Sequence, residues 1–342
     1  MAIPLRQSLK VGAYVAKQRL KGNTKFPLVL QLEPLYQCNL ACAGCGKIQH
    51  PDEILRKRLT VQQCIHAVEE CGAPIVSIAG GEPLVHEEID QIASALVERK
   101  RFVYLCTNAL LLERKLDRFK PSPYFSWSVH VDGLRQRHDE SVCREGVFDK
   151  AVDAIREAKH RGFRVSTNST FFEPDDASSI RGLLDYLNDE LQVDVMQISP
   201  GFAYEKAPDQ DHFLGVEMTR QIFREAFSGG RRQRWRLNHS PLFLDFLEGK
   251  VDLECTPWGI PCYSVFGWQR PCYLMADGGY ARSYRELLEE TDWSRYGRGR
   301  HPKCSNCMAH CGYEPSAVAV TAQSLRESAR AAADALIGQA RK

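Results

Sequence analysis

The sequence contains no long uninterrupted apolar run, and this absence limits where the chain is expected to reside. Of its 342 residues, 44% are hydrophobic, yet no stretch approaches the length of apolar sequence that a membrane-spanning helix requires. The N-terminus also lacks an apolar segment followed by a small-residue cleavage site, so no secretory signal is predicted. We expect a cytoplasmic protein with one large domain and an appendage.

Acidic residues are missing before Glu33, whereas six basic residues occur there: Arg6, Lys10, Lys17, Arg19, Lys21 and Lys25. In the same region an apolar stripe recurs at helical spacing, formed by Leu5, Leu9, Ala13, Ala16 and Leu20. A stripe of this kind beside a cationic face is typical of helices that lie on anionic membrane surfaces. A packing helix with solvated lysines is the other interpretation, since Gly12 and two β-branched valines weaken the pattern.

Thirteen cysteines contrast with these absences. A reducing compartment disfavours disulfides, and the odd number excludes a fully paired framework, so clustered thiols indicate metal binding or redox chemistry. The net charge of +2 gives no indication of nucleic-acid binding.

Six strand-like runs alternate with amphipathic helical stretches. The runs cover residues 26–35, 73–81, 101–109, 124–133, 163–172 and 194–201. Thr60 and Gln63 form a capping box that starts one of the helices, and Gly72 ends it. The repeated βα unit predicts an α/β fold with a parallel sheet, as a partial (β/α)6 TIM-like barrel with a Cys-rich C-terminal extension. The predicted organisation is a basic arm (1–26), the barrel (27–205), a helical connector (206–250), the extension (251–320) and a terminal helix (321–342).

The loop after the first strand reads "CNLACAGC", in which Cys38, Cys42 and Cys45 have C-x3-C-x2-C spacing. Three thiolates cannot complete the four-cysteine set of an ordinary iron–sulfur cluster, so one iron would keep an open position. A zinc knuckle that takes a distant fourth ligand is the alternative.

This loop resembles the signature of the radical S-adenosylmethionine (SAM) superfamily, and Gly80-Gly81-Glu82-Pro83 is similar to its GGEP motif. The resemblance implies a 4Fe–4S cluster whose open iron binds SAM, with the GGEP turn at the SAM amino group. Gly44 departs from the pattern, because many members carry an aromatic residue there. By the same resemblance the following strand ends would bind SAM, through Asn108, Ser128, His130, Asn168 and Ser199.

The C-terminal region has a second group of cysteines. Cys255, Gly267 and Cys272 resemble the opening of the SPASM/twitch extensions of this superfamily, which carry an auxiliary cluster. Cys304, Cys307 and Cys311 would then complete a four-thiolate site with one candidate to spare. A structural zinc with His301 or His310 as a ligand is the competing interpretation.

Longer blocks resemble one branch of the superfamily, the adenosylhopane synthases of hopanoid biosynthesis. They are "PLRQSLKVGAYV", "LEPLYQCNLACAGCGKIQ", "SVHVDGLRQRHDESVCREGVFDKAV", "YEKAPDQDHFLG", "FGWQRPCY" and "HPKCSNCMAHCGYEP". The resemblance implies a transferase that consumes SAM as a cosubstrate, because the 5′-deoxyadenosyl radical adds to the terminal alkene of the triterpene diploptene. It also implies an electron donor such as a flavodoxin or ferredoxin.

The tertiary carbon radical left by this addition needs a hydrogen atom. Cys106 is predicted at the active end of the third strand, and a thiol S–H bond is weaker than the C–H bond to be formed. We therefore interpret Cys106 as the hydrogen-atom donor, against the alternative that it is a small core residue. A bilayer-resident substrate would also explain peripheral contact with the inner face of the membrane, through Ile3, Leu5, Leu9, Lys10 and Lys17.

Two other functions remain open from the sequence. One is a SPASM-type peptide maturase, or another radical SAM enzyme that abstracts hydrogen and releases 5′-deoxyadenosine. The other is a non-enzymatic iron–sulfur sensor or scaffold, which would bind a cluster without cleaving SAM.

Overall fold

The structure is a computed structural model that describes residues 4–204, 206–275 and 278–340, with side chains up to residue 333. Ile3 and residues 341–342, which belong to the predicted arm and terminal helix, lie outside these ranges. Within the ranges we find no helix with both the length and the apolar character needed to span a bilayer.

Nine strands of the described residues form one sheet. They are β1 (Val29–Glu33), β2 (Ile75–Ile78), β3 (Phe102–Thr107), β4 (Phe125–His130), β5 (Arg164–Phe171), β6 (Val195–Pro200), β7 (Cys262–Ser264), β8 (Gly267–Gln269) and β9 (Tyr280–Ala281). Their order is β6-β5-β4-β3-β2-β1-β7-β8-β9, and β1 to β6 are mutually parallel. The six predicted strands are confirmed, and they form the partial barrel.

Helices occupy most of the connections between strands. In the first half of the chain they are α1 (Leu5–Leu20), α2 (Asp52–Leu55), α3 (Val61–Cys71), α4 (Ile89–Glu98), α5 (Leu112–Lys115), α6 (Arg135–Ser141) and α7 (Val147–His160). The second half contributes α8 (Ala177–Asp185), α9 (Val216–Ala226), α10 (Pro241–Leu247), α11 (Tyr284–Glu290), α12 (His310–Thr321) and α13 (Leu325–Ala340). The capping box of Thr60 and Gln63 starts α3 as predicted, and Gly72 ends it with a left-handed backbone.

The two faces of the barrel strands differ in their side chains. On β3, Val103 and Leu105 are almost fully buried in the core that includes the apolar faces of α3 and α4. Because strand side chains alternate, Tyr104 and Cys106 point to the opposite side, which is the barrel interior. The barrel interior therefore carries the polar and thiol groups, and the outer face carries the hydrophobic core.

Residues beyond the barrel cover both edges of its sheet. At one edge β7 pairs in parallel with β1. At the other edge the Met196 amide donates to the Arg236 carbonyl at 2.7 Å, and the Asn238 amide donates to the Met196 carbonyl at 2.7 Å. Unpaired strand edges attract other chains, and here the C-terminal half of the chain satisfies them. The barrel and the Cys-rich extension thus share one sheet.

Helix α1 folds onto the end of the barrel where the strands begin. The Tyr104 hydroxyl donates to Gln7 Oε1 at 2.9 Å, and both Gln7 and Val15 are buried. The predicted amphipathic helix is present, but its apolar stripe is not the face that packs. Leu5, Leu9 and Leu20 are instead exposed.

Candidate active site

The loop after β1 carries Cys38, Cys42 and Cys45, and we call it the cluster loop. Burial raises the pKa of Cys38 to about 11 and also raises the pKa of the other two thiols. The charge of Cys45 also acts to raise the pKa of Cys38 and the pKa of Cys42, so the three thiols interact electrostatically. A cleft of about 310 Å³ opens beside Cys38.

This donor set fits an iron–sulfur cluster. Bare thiolates would repel one another here, whereas the irons of a cluster stabilise thiolates and require soft sulfur ligands. Leu40, Val142 and Val147 form an apolar wall against the site. Three ligands from one short loop leave one coordination position of a 4Fe–4S cluster for a substrate.

The Gly80-Gly81 turn after β2 packs directly against the backbone of this loop. The Gly81 amide donates to the Leu35 carbonyl at 3.0 Å, and the Glu82 amide donates to the Gln37 carbonyl at 2.9 Å. A Cβ on Gly80 would lie 2.2 Å from the Leu35 oxygen. Gly80 also has a φ of +110°, which L side chains rarely adopt. Because Gly80 and Gly81 have no side chains, the turn after β2 can contact the backbone of the cluster loop.

We expect Gly81→Ala to displace the cluster loop and weaken iron binding. The new Cβ would stand 2.1 Å from the Gln37 oxygen, so the backbone that leads to Cys38 must move. Such overpacking costs about 1–3 kcal/mol. Thermal unfolding and iron content after anaerobic reconstitution would measure the effect.

Gly12→Ala is the matched control. No atom lies within 4 Å of a Cβ at Gly12, and this residue is within α1, where alanine favours the helix by about 1 kcal/mol. If the two variants bound iron equally well, the close contact at Gly81 would not position the loop.

Glu82 joins the ends of β2 and β3. Its carboxylate is 1% exposed and accepts from the Leu84 amide at 3.0 Å, the Thr107 hydroxyl at 2.8 Å and the Asn108 amide at 2.8 Å. Burial raises the pKa of Glu82 to about 7, and these donors oppose the rise. A carboxylate can accept about four hydrogen bonds, so one position remains for the ammonium predicted from the sequence.

Asn108 contacts the cluster loop. Its Nδ2 donates to Asn39 Oδ1 at 2.7 Å and to Cys38 Sγ at 3.8 Å. The end of β3 is therefore tied to a cluster ligand on one side and to Glu82 on the other.

Cys106 lies on β3, two residues before Asn108, and faces the barrel interior. Its sulfur is 3.6 Å from Ser77 Oγ on β2, and its register partner on β4 is Ser128. Burial raises the pKa of Cys106, and hydrogen bonds from Ser77 and Ser128 act against this rise. The thiol therefore remains protonated, between two hydroxyls and about 7 Å along the strand from Asn108.

The remaining predicted SAM ligands follow the mouth of the barrel. His130 Nε2 is 2.8 Å from Asp132 Oδ2, and Asn168 is the register partner of His130 on β5. Burial acts to lower the pKa of His130, but the charge of Asp132 outweighs it and the pKa is raised. Ser199 is buried at the end of β6, where its hydroxyl donates to the Pro200 carbonyl. Strand register thus brings all these residues to one end of the barrel.

An aromatic ring from the residue after β5 accounts for Gly44. A Cβ at Gly44 would lie 3.0 Å from two atoms of the Phe172 ring, and a Cβ at Gly201 would lie 2.4 Å from the same ring. The ring next to the cluster loop therefore comes from the residue that follows β5. This contact was not predictable from the sequence, since Phe172 is remote from the cysteine motif.

The structure also brings the C-terminal cysteines together. They are Cys255, Cys272, Cys304, Cys307 and Cys311. The pKa of Cys255 is raised first by burial and then by the charges of Cys307, Cys272 and Cys304. A Cβ at Gly312 would lie 2.4 Å from Cys255 Sγ, so α12 packs against the group. The Cys-rich extension fits an auxiliary cluster.

Metal analysis of the reconstituted protein should identify this second site. Two 4Fe–4S clusters predict about eight irons per chain, whereas a structural zinc in the extension predicts about four irons with zinc. We expect the eight-iron result, and stoichiometric zinc would contradict it.

Sequence reasoning missed a buried ion pair next to the cluster loop. Lys47 Nζ is 2.8 Å from Glu33 Oε2 at the end of β1. The rings of Tyr36, Tyr204 and Tyr273 surround the ammonium at 5.4 to 5.6 Å. One feature of the sequence could have indicated this ion pair, because Glu33 is a charged residue at the end of a barrel strand.

These features define a radical SAM fold: a partial parallel barrel with a three-cysteine loop after the first strand and a glycine turn after the second. Residues 32–187 match the radical SAM superfamily, and residues 196–331 match a domain of unknown function, DUF3463. Fold, cluster loop and match together assign a radical SAM fold to the chain.

Curated relatives support this assignment at low identity. A GTP 3′,8-cyclase of Clostridium perfringens is 27% identical over 225 residues, which cover 63% of this chain and 68% of that protein. The mycofactocin maturase MftC of Mycolicibacterium smegmatis is 28% identical over 141 residues, which cover 40% of this chain and 36% of that protein. The two relatives are named for different activities, so these matches support the fold and not a particular substrate.

Solved structures share the fold. Streptococcus suis SuiB superposes with a TM-score of 0.63 over 92% of this chain and 78% of its own, at 16% identity. The structure of anSMEcpe with bound AdoMet and a peptide gives a TM-score of 0.56 over 92% of this chain and 100% of its own, at 16% identity. The fold similarity therefore extends beyond the barrel into the C-terminal half.

Proposed function

We propose that the chain is an adenosylhopane synthase, a radical SAM transferase that adds the 5′-deoxyadenosyl radical to the terminal alkene of diploptene. The observation that carries this proposal is the protonated Cys106 thiol inside the barrel, between Ser77 and Ser128 and near the cluster loop. An enzyme that abstracts hydrogen and then oxidises the substrate radical has no need for a hydrogen-atom donor at this position.

The cluster loop would bind the iron–sulfur cofactor through Cys38, Cys42 and Cys45, and the cluster would supply the electron that cleaves the SAM sulfonium. Glu82, with one accepting position left, would bind the SAM ammonium. The mouth residues Asn168 and Ser199 would orient the adenosyl end toward the barrel interior, where the alkene must lie.

Cys106 then completes the reaction. Addition of the adenosyl radical to the methylene carbon forms a carbon–carbon bond and leaves a tertiary radical. The Cys106 S–H bond breaks, its hydrogen atom forms the new C–H bond, and a thiyl radical remains on sulfur. An electron and a proton from a low-potential donor such as a ferredoxin or flavodoxin restore the thiol. The balance is SAM plus alkene plus two electrons and one proton, giving methionine and the adenosylated hydrocarbon.

The position of the thiol on one strand also bears on stereochemistry. A donor fixed by β3 and flanked by two serine hydroxyls reaches only one face of the tertiary radical. The proposal therefore includes a single configuration at the new stereocentre.

A SPASM-type peptide maturase is the second candidate, and the comparisons favour it. MftC is named as a maturase, and the anSMEcpe and SuiB structures include complexes with peptides. An enzyme of this kind would abstract hydrogen and release 5′-deoxyadenosine in step with its product.

One anaerobic reaction separates the two. The reconstituted full chain is incubated with SAM, a reductant and diploptene, and the products are analysed by mass spectrometry. An adenosylated triterpene supports the proposal. Free 5′-deoxyadenosine without an adduct rejects it, and intact SAM under reducing conditions would indicate a non-enzymatic cluster protein.

A further inference from the structure

The outer face of α1 carries an apolar stripe that the described chain leaves uncovered. We call it the leucine stripe, and it consists of Leu5, Leu9, Ala13, Ala16 and Leu20, all exposed. Leu9 is 65% and Leu20 is 90% exposed, although the opposite face of α1 is buried through Gln7 and Val15. The helix therefore packs on the barrel with its less apolar side and presents its leucines outward.

Other exposed apolar residues belong to a segment tied to this helix. Arg19 donates to the Ala319 and Ala322 carbonyls, each at 2.6 Å, and so joins the end of α1 to the end of α12. Val320 and Leu325, on either side of Ala322 in the chain, are also exposed. Five of the seven large hydrophobic side chains exposed in the described residues thus belong to α1 or to this segment.

A group of cations lies beside the stripe. The cationic groups of Arg6, Lys10 and Lys100 stand 5.7, 5.3 and 5.5 Å from the centre of the Tyr124 ring, and we call them the Tyr124 cation cluster. Among the residues that the structure describes, none of the three forms an ion pair with an acidic side chain. Like charges this close repel one another, and an anion bound between them would relieve the repulsion.

We propose that α1 is a membrane-docking helix, in which the leucine stripe enters the acyl region and the Tyr124 cation cluster binds the phosphates of anionic lipids. An apolar stripe with a cationic flank is the pattern of interfacial helices. A second copy of the chain fits less well, because pairing two stripes would bring two cation clusters together. Membrane docking through α1 does not depend on which substrate the enzyme uses. Either membrane docking or the proposed function can therefore be rejected without the other.

Docking through α1 fixes the orientation of the barrel. The Tyr124 cation cluster lies where β3 and β4 begin, whereas the cluster loop follows the end of β1. Strands of a parallel barrel share one direction, so the iron–sulfur site would face away from the bilayer, about 17 Å farther along β3. An apolar substrate would then reach Cys106 through or around the barrel from the membrane side.

Vesicle flotation of the full chain tests the proposal. We expect binding to phosphatidylcholine vesicles that contain phosphatidylglycerol to exceed binding to pure phosphatidylcholine by at least about tenfold at low salt. High salt should abolish most of the difference, because it screens exposed charges. Equal binding to both vesicles, or none to either, would overturn the proposal.

Two matched double variants test whether vesicle binding depends on the leucine stripe or on exposed hydrophobic side chains in general. Leu5→Glu/Leu9→Glu places charges in the stripe, whereas Leu134→Glu/Met218→Glu makes the same charge change at side chains 44% and 43% exposed elsewhere. We expect only the first to lose vesicle binding, with both melting like the wild type because all four side chains are exposed. Retained binding by the stripe variant would reject membrane docking. Light scattering that shows a wild-type dimer broken by the stripe variant would assign the surface to a second copy instead.

Discussion

Cys106→Ala is expected to separate carbon–carbon bond formation from reduction of the resulting radical. SAM cleavage and the adenosyl adduct should still form, because the hydrogen bonds of Cys106 are to Ser77 and Ser128 and not to a predicted cluster ligand. The saturated product should fall about tenfold or more, since each 1.36 kcal/mol of lost transition-state stabilisation is a tenfold change in rate. Product that still forms should be a mixture of configurations, as the quenching hydrogen then arrives from either face. Chiral chromatography with mass spectrometry measures both effects.

Cys106→Ser sharpens this test. The serine hydroxyl preserves the size and hydrogen bonding of the thiol toward Ser77, but its O–H bond is too strong to give a hydrogen atom to an alkyl radical. We expect the serine and alanine variants to behave alike. Full activity of Cys106→Ser, or loss of SAM cleavage in both variants, would mean that the residue supports only the fold or cofactor.

Removal of a cluster cysteine is expected to have the largest effect of all. For Cys42→Ala we expect SAM cleavage to fall at least about 100-fold, more than a change to an outer-shell partner of a metal ligand causes. The loss of SAM cleavage follows from the number of ligands. Three thiols already leave one iron of the cluster open, and Cys42→Ala would leave only two thiols to hold it. Quantification of 5′-deoxyadenosyl products under reductant measures cleavage, and iron content should fall by about four per chain.

Cys143→Ala is the control for this variant. Cys143 is exposed, and it lies near enough to Cys42 for its charge to raise the pKa of that thiol. Its positive φ of 55° is equally tolerable for alanine, so the fold should not change. A loss of iron in Cys143→Ala as large as in Cys42→Ala would show that the ligand set differs from the three predicted cysteines.

The predictable part of the fold rests on local patterns. Thr60 and Gln63 indicated the start of α3 because capping satisfies amides within one turn of the chain. The six barrel strands were predictable because apolar runs between helical segments favour parallel strands. The C-x3-C-x2-C loop was equally visible, since its three ligands lie within eight residues.

Contacts between distant residues were not predictable in this way. Lys47 contacts Glu33 and the ring of Tyr36 nearby in the chain, and also the rings of Tyr204 and Tyr273 from two distant regions. Phe172, which follows β5, fills the space beside Gly44. Neither contact has a spacing rule, because each depends on how loops pack across the barrel mouth.

The N-terminal helix α1 shows most clearly which features follow from local sequence and which depend on tertiary packing. Residues 5–20 were predictable as a helix with an apolar stripe and a cationic flank, because both features follow from a period of 3.6 residues. The outward orientation of the stripe depends on tertiary packing, in which Gln7 and Val15 are buried and Leu5, Leu9 and Leu20 are exposed. Likewise, the motif determined which cysteines could bind a cluster, but strand register decided that Cys106 faces the barrel interior between two serines. Which face of an element is buried depends on neighbours that are far away in the chain, and periodicity cannot specify them.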